Sequence, residues 1–440
     1  MFLNHRKVPQ MRDFSYFCSM SGIYIHIPFC KSKCGYCGFY SLPSLKLKDR
    51  FLEALKEEIV ARRDYLGPKR HCGLDPQSPA LEDSRDMLSI NTIYFGGGTP
   101  SLLTISEIDD LLHLINTHYP VAENAEITLE ANPDTLSLDY LENLRKMGVN
   151  RLSIGIQSFF DEDLKYLGGK HNATHARQCL NWAKQAGFSN ISIDLIYGLP
   201  TSDPKQWNHN LDIFFDYDLP HLSAYALTLE PNSILTKQIE LGRAQPINEE
   251  DALRDYEILC RGAKENGYLH YEISNFCKRG MHSKHNANYW FGTPYAGFGP
   301  SAHSFDGASR QWNVSSVVDY CEAMSAASRH CERSEAIQTT NNLDCFVVPP
   351  RNDAKRVQEK EQLSPEQCYD EYVMLRLRTH WGIDLKWMKR EMGERFSTFC
   401  EQHAKPLVAQ GRLSQTREFL YLTDEQMLFA DGVAEELFWE

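Results

Sequence analysis

Three cysteines with a short, regular spacing lie near the start of the chain. Cys30, Cys34 and Cys37 form the pattern C-x3-C-x2-C, and they directly follow an apolar run, residues 22–27, that stops at Pro28. Three thiolates on one short loop can bind three irons of a 4Fe-4S cluster, because such clusters take cysteine ligands from closely spaced loop positions. The fourth iron would then have no protein ligand, and catalytic metal sites keep a coordination position open in a similar way.

Two other interpretations of these cysteines stay open on spacing alone. A structural zinc site would need a fourth Cys or His ligand. His26 could be that ligand, although a local hydrogen bond on the strand is the simpler interpretation of this residue. The three cysteines could also be unrelated buried thiols. The chain has 13 Cys, and in a reduced compartment clustered cysteines indicate metal or redox chemistry more often than disulfides.

The composition excludes several classes of protein. The 440 residues are 42% hydrophobic and 24% charged, which is typical of a globular protein with two to three domains. With 46 Lys and Arg against 59 Asp and Glu, the net charge of −13 disfavours nucleic-acid binding. We find neither an apolar stretch of membrane-spanning length nor a signal peptide, so the sequence predicts a cytoplasmic protein without a membrane span.

Short β-like runs alternate with stretches of helical period, which predicts βα units around a parallel sheet. The six predicted strands are residues 22–27, 92–95, 126–130, 151–157, 191–197 and 221–229. The predicted helices between them are residues 51–62, 106–118, 137–147 and 174–186. Ser106, Ser137 and Thr174 are the predicted helix N-caps. The predicted fold is α/β, a partial (β/α)6 TIM-type barrel, in which active-site residues collect where the strands end.

Several candidate site residues follow or end these strands. The run Gly96-Gly97-Gly98-Thr99 follows the second strand, where glycines let a ligand approach the backbone closely, although a tight turn is the simpler explanation. Glu130 ends the third strand and Gln157 ends the fourth. Asp194 lies inside the apolar fifth strand, where a carboxylate needs a partner.

Two motifs make the sequence recognisable. Residues 24–30 read Tyr-Ile-His-Ile-Pro-Phe-Cys, and residues 96–100 read Gly-Gly-Gly-Thr-Pro. Together with the cysteines, they resemble the radical S-adenosylmethionine (SAM) superfamily, specifically its branch of oxygen-independent coproporphyrinogen oxidases and HemW heme chaperones. The oxidases carry a fourth cysteine two residues after the third, where this chain has Phe39. The chain also contains the chaperone-type motif H-N-x-x-Y-W at residues 285–290.

The resemblance implies roles for individual residues. Cys30, Cys34 and Cys37 would be the metal ligands of the 4Fe-4S cluster. The residues implied to bind S-adenosyl-L-methionine are Tyr24, Tyr36, Gly97, Gly98, Thr99, Glu130, Gln157 and Asp194. For heme, His285 would be the axial ligand, and Tyr289 and Trp290 would stack on the macrocycle. A loop whose His caps a turn and whose Trp packs into the barrel is the alternative. The chain departs from the family at Gly169-Lys170. The family has Arg at the position of Gly169, and the ammonium of Lys170, one position later, does not replace a planar guanidinium.

The remaining chain divides into predicted segments. Two stretches without periodicity are predicted insertions, with a functional lid as the alternative. Helices and a hairpin after residue 360 predict a winged-helix-like C-terminal module, whose acidic surface favours packing over DNA binding. The predicted bounds are a leader at 1–20, the barrel at 21–245 with an insertion at 67–85, a barrel-closing and heme-motif region at 246–327, an insertion at 328–356, and the C-terminal domain at 357–440.

The expected function is that of a HemW-like heme chaperone, which carries a SAM-associated cluster and transfers heme to apo-hemoproteins. The expected partners are these recipients and an electron donor, with transient association with membrane hemoproteins and no nucleic acid. The alternative is an oxygen-independent coproporphyrinogen III oxidase, which decarboxylates a porphyrin precursor. Phe39 argues against this oxidase activity.

Overall fold

The computed structural model describes residues 20–38, 40–67, 88–231, 233–325 and 357–439. The predicted leader lies outside these residues except for Met20, which begins the first strand. Of the predicted insertion at 67–85, Gly67 alone is described, and the predicted insertion at 328–356 lies wholly outside the described residues. Phe39 is also outside them. The predicted domain bounds therefore remain predictions.

Six neighbouring parallel strands form the centre of the molecule, in the order of the chain, and confirm the predicted partial barrel. They are β1 (Met20–Ile27), β2 (Ser89–Gly97), β3 (Val121–Ala131), β4 (Arg151–Gln157), β5 (Asn190–Tyr197) and β6 (His221–Ala226). The predicted sixth strand is too long at its end, since β6 stops at Ala226. Helices on these connections are α1 (Lys48–Ala61), α2 (Ile105–His118), α3 (Leu138–Lys146), α4 (Asp161–Tyr166), α5 (Ala173–Gln185) and α6 (Pro204–Asp216).

The helix N-caps differ from the prediction at two of three places. Ser137 caps α3 as predicted, through its bond from the Tyr140 amide. Thr104, and not Ser106, caps α2 in a capping box with Glu107. Asn172, and not Thr174, caps α5. In both wrong cases another good capping residue lies two positions earlier, so side-chain type alone does not decide the register.

The sheet continues beyond both edges of the six parallel strands, which the sequence did not predict. Beyond β6 come β8 (Asn275–Cys277) and β7 (Leu269–Glu272), both antiparallel to their neighbours. Beyond β1 come β9 (Tyr295–Phe298), β10 (His303–Phe305), β11 (Ser309–Asn313) and β12 (Val357–Gln362). Further helices are α7 (Ile234–Glu240), α8 (Glu249–Glu265), α9 (Lys284–Trp290) and α10 (317–325). Thus β12 pairs with β11 of the large sheet.

The C-terminal module has its own buried core, separate from that of the barrel. Its helices are α11 (Pro365–Leu377), α12 (Leu385–Glu391), α13 (Glu394–Ala409) and α14 (Ala430–Glu435). A small antiparallel sheet contains β13 (Ile383–Asp384), β14 (Ser414–Gln415) and β15 (Phe419–Tyr421). These helices and the hairpin confirm the predicted helical C-terminal domain. In the described part of the chain, no helix combines the length and apolarity needed to cross a membrane.

Candidate functional site

The cysteine loop follows β1 at the end of the barrel where the parallel strands finish. Cys30, Cys34 and Cys37 are half-buried and form no disulfide. The Cys30 amide donates to the Leu42 carbonyl at 3.1 Å. In the middle of the loop, the Gly35 amide donates to the Leu167 carbonyl at 3.1 Å, and the Gly35 carbonyl accepts from the Leu235 amide at 2.8 Å. The loop is therefore fixed at its start and at its centre.

The donor set of this loop fits an iron-sulfur cluster. Burial, and then the neighbouring Cys37 and Cys30 thiols, raise the pKa of Cys34 to about 11. Among the described residues, no three Cys, His, Asp or Glu side chains converge on a point where one metal ion could bind. A zinc site requires that convergence, whereas each thiolate of a 4Fe-4S cluster binds a different iron.

The glycine run packs directly against the cysteine loop. The Gly98 amide donates to the Ile27 carbonyl at 2.8 Å, and the Thr99 hydroxyl lies 3.5 Å from the Cys30 sulfur. A Cβ at Gly98 would lie 2.5 Å from the Phe29 carbonyl oxygen and 3.0 Å from that of Ile27. The absence of a side chain at Gly98 is thus what allows the second βα turn to approach the cysteine loop.

Gly98→Ala is expected to destabilise this end of the barrel. Because the added methyl group meets backbone, the chain must shift, and overpacking of this kind costs about 1–3 kcal/mol. Denaturant unfolding of Gly98→Ala and of a control variant measures the free energy of unfolding. In the control Gly432→Ala, the added methyl group has nothing within 4 Å and lies in a helix, so we expect no loss of stability. Equal stability of both variants would contradict the close approach.

Glu130 connects the glycine run to the barrel interior. Its carboxylate accepts a hydrogen bond from the Gly97 amide at 3.1 Å and another from the Tyr94 hydroxyl at 2.8 Å. Burial raises the pKa of Glu130 to about 7. Tyr24 also lies here, stacked on Tyr94 with ring centroids 6.1 Å apart. The sequence analysis missed Tyr94. Its position on β2, just before the glycine run, could have identified it.

Asp194 has the partners that its place in an apolar strand requires. Its carboxylate accepts from the Ser153 hydroxyl at 3.4 Å and is also hydrogen-bonded by Ser223. Burial raises the pKa of Asp194 to about 6, although these hydroxyls lower it. Tyr36 belongs to the cysteine loop, and burial, followed by the charges of the cysteines and Asp194, raises its pKa.

A cleft opens beside the cysteine loop. Its lining includes Cys34, Tyr36, Asn132, Gln157 and Lys170. Gln157 adopts a left-handed backbone conformation with φ of 64° at the end of β4. This conformation is uncommon for a residue with a side chain and is typical of functional sites, which supports a role for Gln157 in the site. Asn132, also missed by the sequence analysis, donates to the Thr99 hydroxyl at 3.1 Å. Of the residues expected to bind SAM, Tyr36 and Gln157 line the cleft, and Lys170 places a positive charge near Cys34.

The predicted heme residues on α9 face different ways. His285 is 1% exposed, and its two ring nitrogens are hydrogen-bonded to the Thr92 hydroxyl at 2.8 Å and the Tyr289 hydroxyl at 2.9 Å. Burial lowers the pKa of His285 to about 3. Its ring stacks on Tyr94, with centroids 4.9 Å apart. Trp290 is half-buried. The guanidinium of Arg378, which lies in the segment after α11, is 5.8 Å from the centroid of the Trp290 ring. The structure thus brings His285 and Tyr289 together and keeps Trp290 apart from them.

Comparison with known proteins identifies relatives over nearly the whole chain. Residues 24–212 match the radical SAM superfamily, and residues 363–429 match the HemN C-terminal domain. The heme chaperone HemW of Bacillus subtilis is 31% identical over 94% of this chain and 98% of its own length. HemW of Escherichia coli is 37% identical over 64% of this chain and 69% of its own length. The structure of HemN, the coproporphyrinogen III oxidase of Escherichia coli, superposes with a TM-score of 0.74 at 21% identity, covering 95% of this chain and 90% of HemN. This last likeness shows the fold.

Proposed function

The chain belongs to the HemW family of radical SAM proteins, and on that premise we propose that it binds heme and transfers it to apo-hemoproteins. The observation that carries the proposal is the relation to named heme chaperones along 94% of the chain. The radical SAM family also implies a 4Fe-4S cluster and S-adenosylmethionine as cofactors.

Two sequence features favour the chaperone over the oxidases, Phe39 and the H-N-x-x-Y-W motif at residues 285–290. Phe39 stands where the oxidases carry their fourth cysteine, so a thiol found in those enzymes is missing here. The superposition with HemN does not favour the oxidase reaction, because a shared fold does not imply a shared function.

The residues around the cysteine loop support a SAM site. Cys30, Cys34 and Cys37 would hold three irons of the cluster, and the fourth iron would have no protein ligand. When bound and reduced, the cluster supplies one electron to the sulfonium of SAM. Gly97 and Gly98 present backbone at this place, and Glu130 fixes their geometry through the Gly97 amide. Gln157 and Lys170 line the adjoining cleft, where the ammonium of Lys170 would attract the SAM carboxylate.

Heme binding by the α9 motif would require a change at His285. An imidazole binds iron through an unprotonated nitrogen, and the low pKa of His285 keeps its ring neutral. The Nε2 atom, however, is bonded to Tyr289. For His285 to act as the axial ligand that the motif predicts, this bond must break, and because both residues lie on α9, a rotation of one of the two side chains must break it. Tyr289 and Trp290 would then be placed to stack on the macrocycle.

The cellular setting follows from the same proposal. We expect apo-hemoproteins as heme recipients, an electron donor for the cluster, and transient contact with membrane hemoproteins from the cytoplasm. The acidic net charge of −13 is consistent with a protein that does not bind nucleic acid.

Anaerobic reconstitution of the full chain tests the function. We expect the reconstituted protein to bind ferric heme stoichiometrically and to transfer it to apomyoglobin, as followed by the heme absorption spectrum. With SAM and a reductant, coproporphyrinogen III should stay unchanged, as measured by chromatography of the porphyrins. Decarboxylation of coproporphyrinogen would overturn the proposal in favour of the oxidase, and the absence of heme binding would overturn it outright.

A further inference from the structure

Helix α9 lies across the barrel at the end away from the cysteine loop. The amides of Lys284 and His285, at its start, donate to the Glu126 carboxylate at 3.2 and 3.1 Å. Nδ1 of His285 lies 2.8 Å from the Thr92 hydroxyl. Gly22, Thr92 and Glu126 are register partners on β1, β2 and β3, so α9 contacts one row of residues across three strands.

Residues that point into the barrel form layers between this row and the glycine run. Side chains alternate between the two faces of a strand, so every second residue belongs to the same face. Two residues further along each strand, the next layer is Tyr24, Tyr94 and Thr128, which are again register partners. Glu130 lies two residues beyond Thr128 and next to Gly96, where an added Cβ would lie 3.1 Å from the Oε1 atom of Glu130. The layer that contains Tyr94 therefore separates α9 from the glycine run.

The imidazole of His285 fills the space beside Tyr94 on the α9 side. The two rings stack at an angle of 24° with their centroids 4.9 Å apart. Gly22 leaves room for the imidazole, because a Cβ at that position would lie 3.3 Å from two of the ring atoms of His285. Hydrogen bonds at both ring nitrogens fix the plane of the imidazole. The Tyr94 ring thus packs against a side chain that is itself fixed.

Tyr94 connects the imidazole to the proposed SAM site. The Tyr94 hydroxyl donates to one carboxylate oxygen of Glu130 at 2.8 Å, and the other oxygen accepts from the Gly97 amide at 3.1 Å. Without the imidazole, the Tyr94 ring would border an empty space, and a shift into that space would lengthen the bond to Glu130. Hydrogen bonds weaken steeply when their distance and angle depart from the optimum, so the Glu130 carboxylate would be held less firmly.

We propose that His285 is a positioning residue for SAM: it holds Tyr94 in place, and Tyr94 holds the Glu130 carboxylate against the glycine run. The inference rests on the SAM site of the proposed function. It gives the first residue of the H-N-x-x-Y-W motif a role that does not involve heme. This role uses the conformation described here, in which both ring nitrogens of His285 have hydrogen-bond partners.

A double-mutant cycle on SAM binding tests the proposal. The reconstituted full-chain protein is titrated with SAM, and binding is followed by equilibrium dialysis and by the electron paramagnetic resonance spectrum of the reduced cluster. In His285→Ala, we expect SAM affinity to fall about 2- to 12-fold, the equivalent of one lost aromatic stack. Tyr94→Phe removes the hydroxyl and should also weaken SAM binding. In the double variant His285→Ala/Tyr94→Phe, the affinity should equal that of Tyr94→Phe alone, because the connection to Glu130 is already broken.

Two further variants control for folding and for the loss of a histidine. His285→Gln keeps hydrogen-bonding groups but has no aromatic ring, so it should weaken SAM binding as His285→Ala does, and it replaces the alanine variant in the cycle if that variant is poorly folded. His113→Ala, at an exposed position on α2, should match the wild type. Cluster iron content and circular dichroism show which variants are folded.

Two results would overturn the positioning role. One is wild-type SAM affinity in folded His285→Ala or His285→Gln. The other is a double variant in which the two losses add, because additive losses mean that His285 does not act through Tyr94.

Heme titration of the same variants separates this inference from the proposed function. If His285→Gln loses heme but keeps wild-type SAM affinity, the positioning role fails and heme transfer stands. If the wild-type protein binds SAM but no heme, heme transfer fails and the cycle still decides the role of His285. If the wild-type protein binds no SAM, the positioning role fails whatever the result for heme.

Discussion

Replacing Cys30, Cys34 or Cys37 singly by serine is expected to abolish the iron-sulfur cluster. Each thiolate would bind a different iron, so one missing ligand leaves two irons of the cluster without a protein ligand. Iron content should fall from about four atoms per chain to near zero after anaerobic reconstitution, and the visible absorption of the cluster should vanish with it. SAM binding should be lost as well, because the iron without a protein ligand would hold it.

The control for this prediction is Cys260→Ser. Cys260 is also half-buried, but it lies on α8, away from the cysteine loop, and burial raises the pKa of its thiol. Its replacement should leave the iron content unchanged. A full complement of iron in Cys34→Ser would show that the loop does not bind the cluster as proposed, whereas loss of iron in all four variants would indicate general instability.

Glu130→Ala is expected to weaken SAM binding strongly while leaving the cluster in place. The Gly97 amide and the Tyr94 hydroxyl would lose their common acceptor. A buried donor left unsatisfied costs about 1–3 kcal/mol, and a loss of that size in the free energy of SAM binding is a loss of affinity of about 5- to 150-fold. Equilibrium binding of SAM to the reconstituted protein measures this loss, and iron content shows whether the cluster is retained.

Two further variants make the Glu130 result interpretable. Glu130→Gln keeps an acceptor of similar shape, so its affinity should lie between those of the wild type and Glu130→Ala. Glu123→Ala removes an exposed carboxylate from the opposite end of β3 and should bind SAM normally. Wild-type SAM affinity in Glu130→Ala would contradict a role for this carboxylate in shaping the glycine run.

The parallel core and the cysteine loop could be read from the sequence because their signals are local. The alternation of strands and helices fixed the six strands of the barrel, and Cys30, Cys34 and Cys37 lie within eight residues of one another. The end of β6 and the caps of α2 and α5 were predicted wrongly, because neighbouring residues with similar propensities compete there. The strands that extend the sheet, β7 to β12, are short and carry weak patterns.

The sequence by itself determined which residues could do chemistry near the cysteine loop, since covalent spacing and strand ends bring them to one edge of the barrel. Only the tertiary structure decided how they act on one another. It placed Tyr94 against Glu130 and bonded Glu130 to Gly97, turned His285 inward onto Thr92 and Tyr289, and set His282 and His380 around Trp381. These contacts join residues far apart in the chain, and their geometry depends on how whole elements pack, which no local pattern encodes.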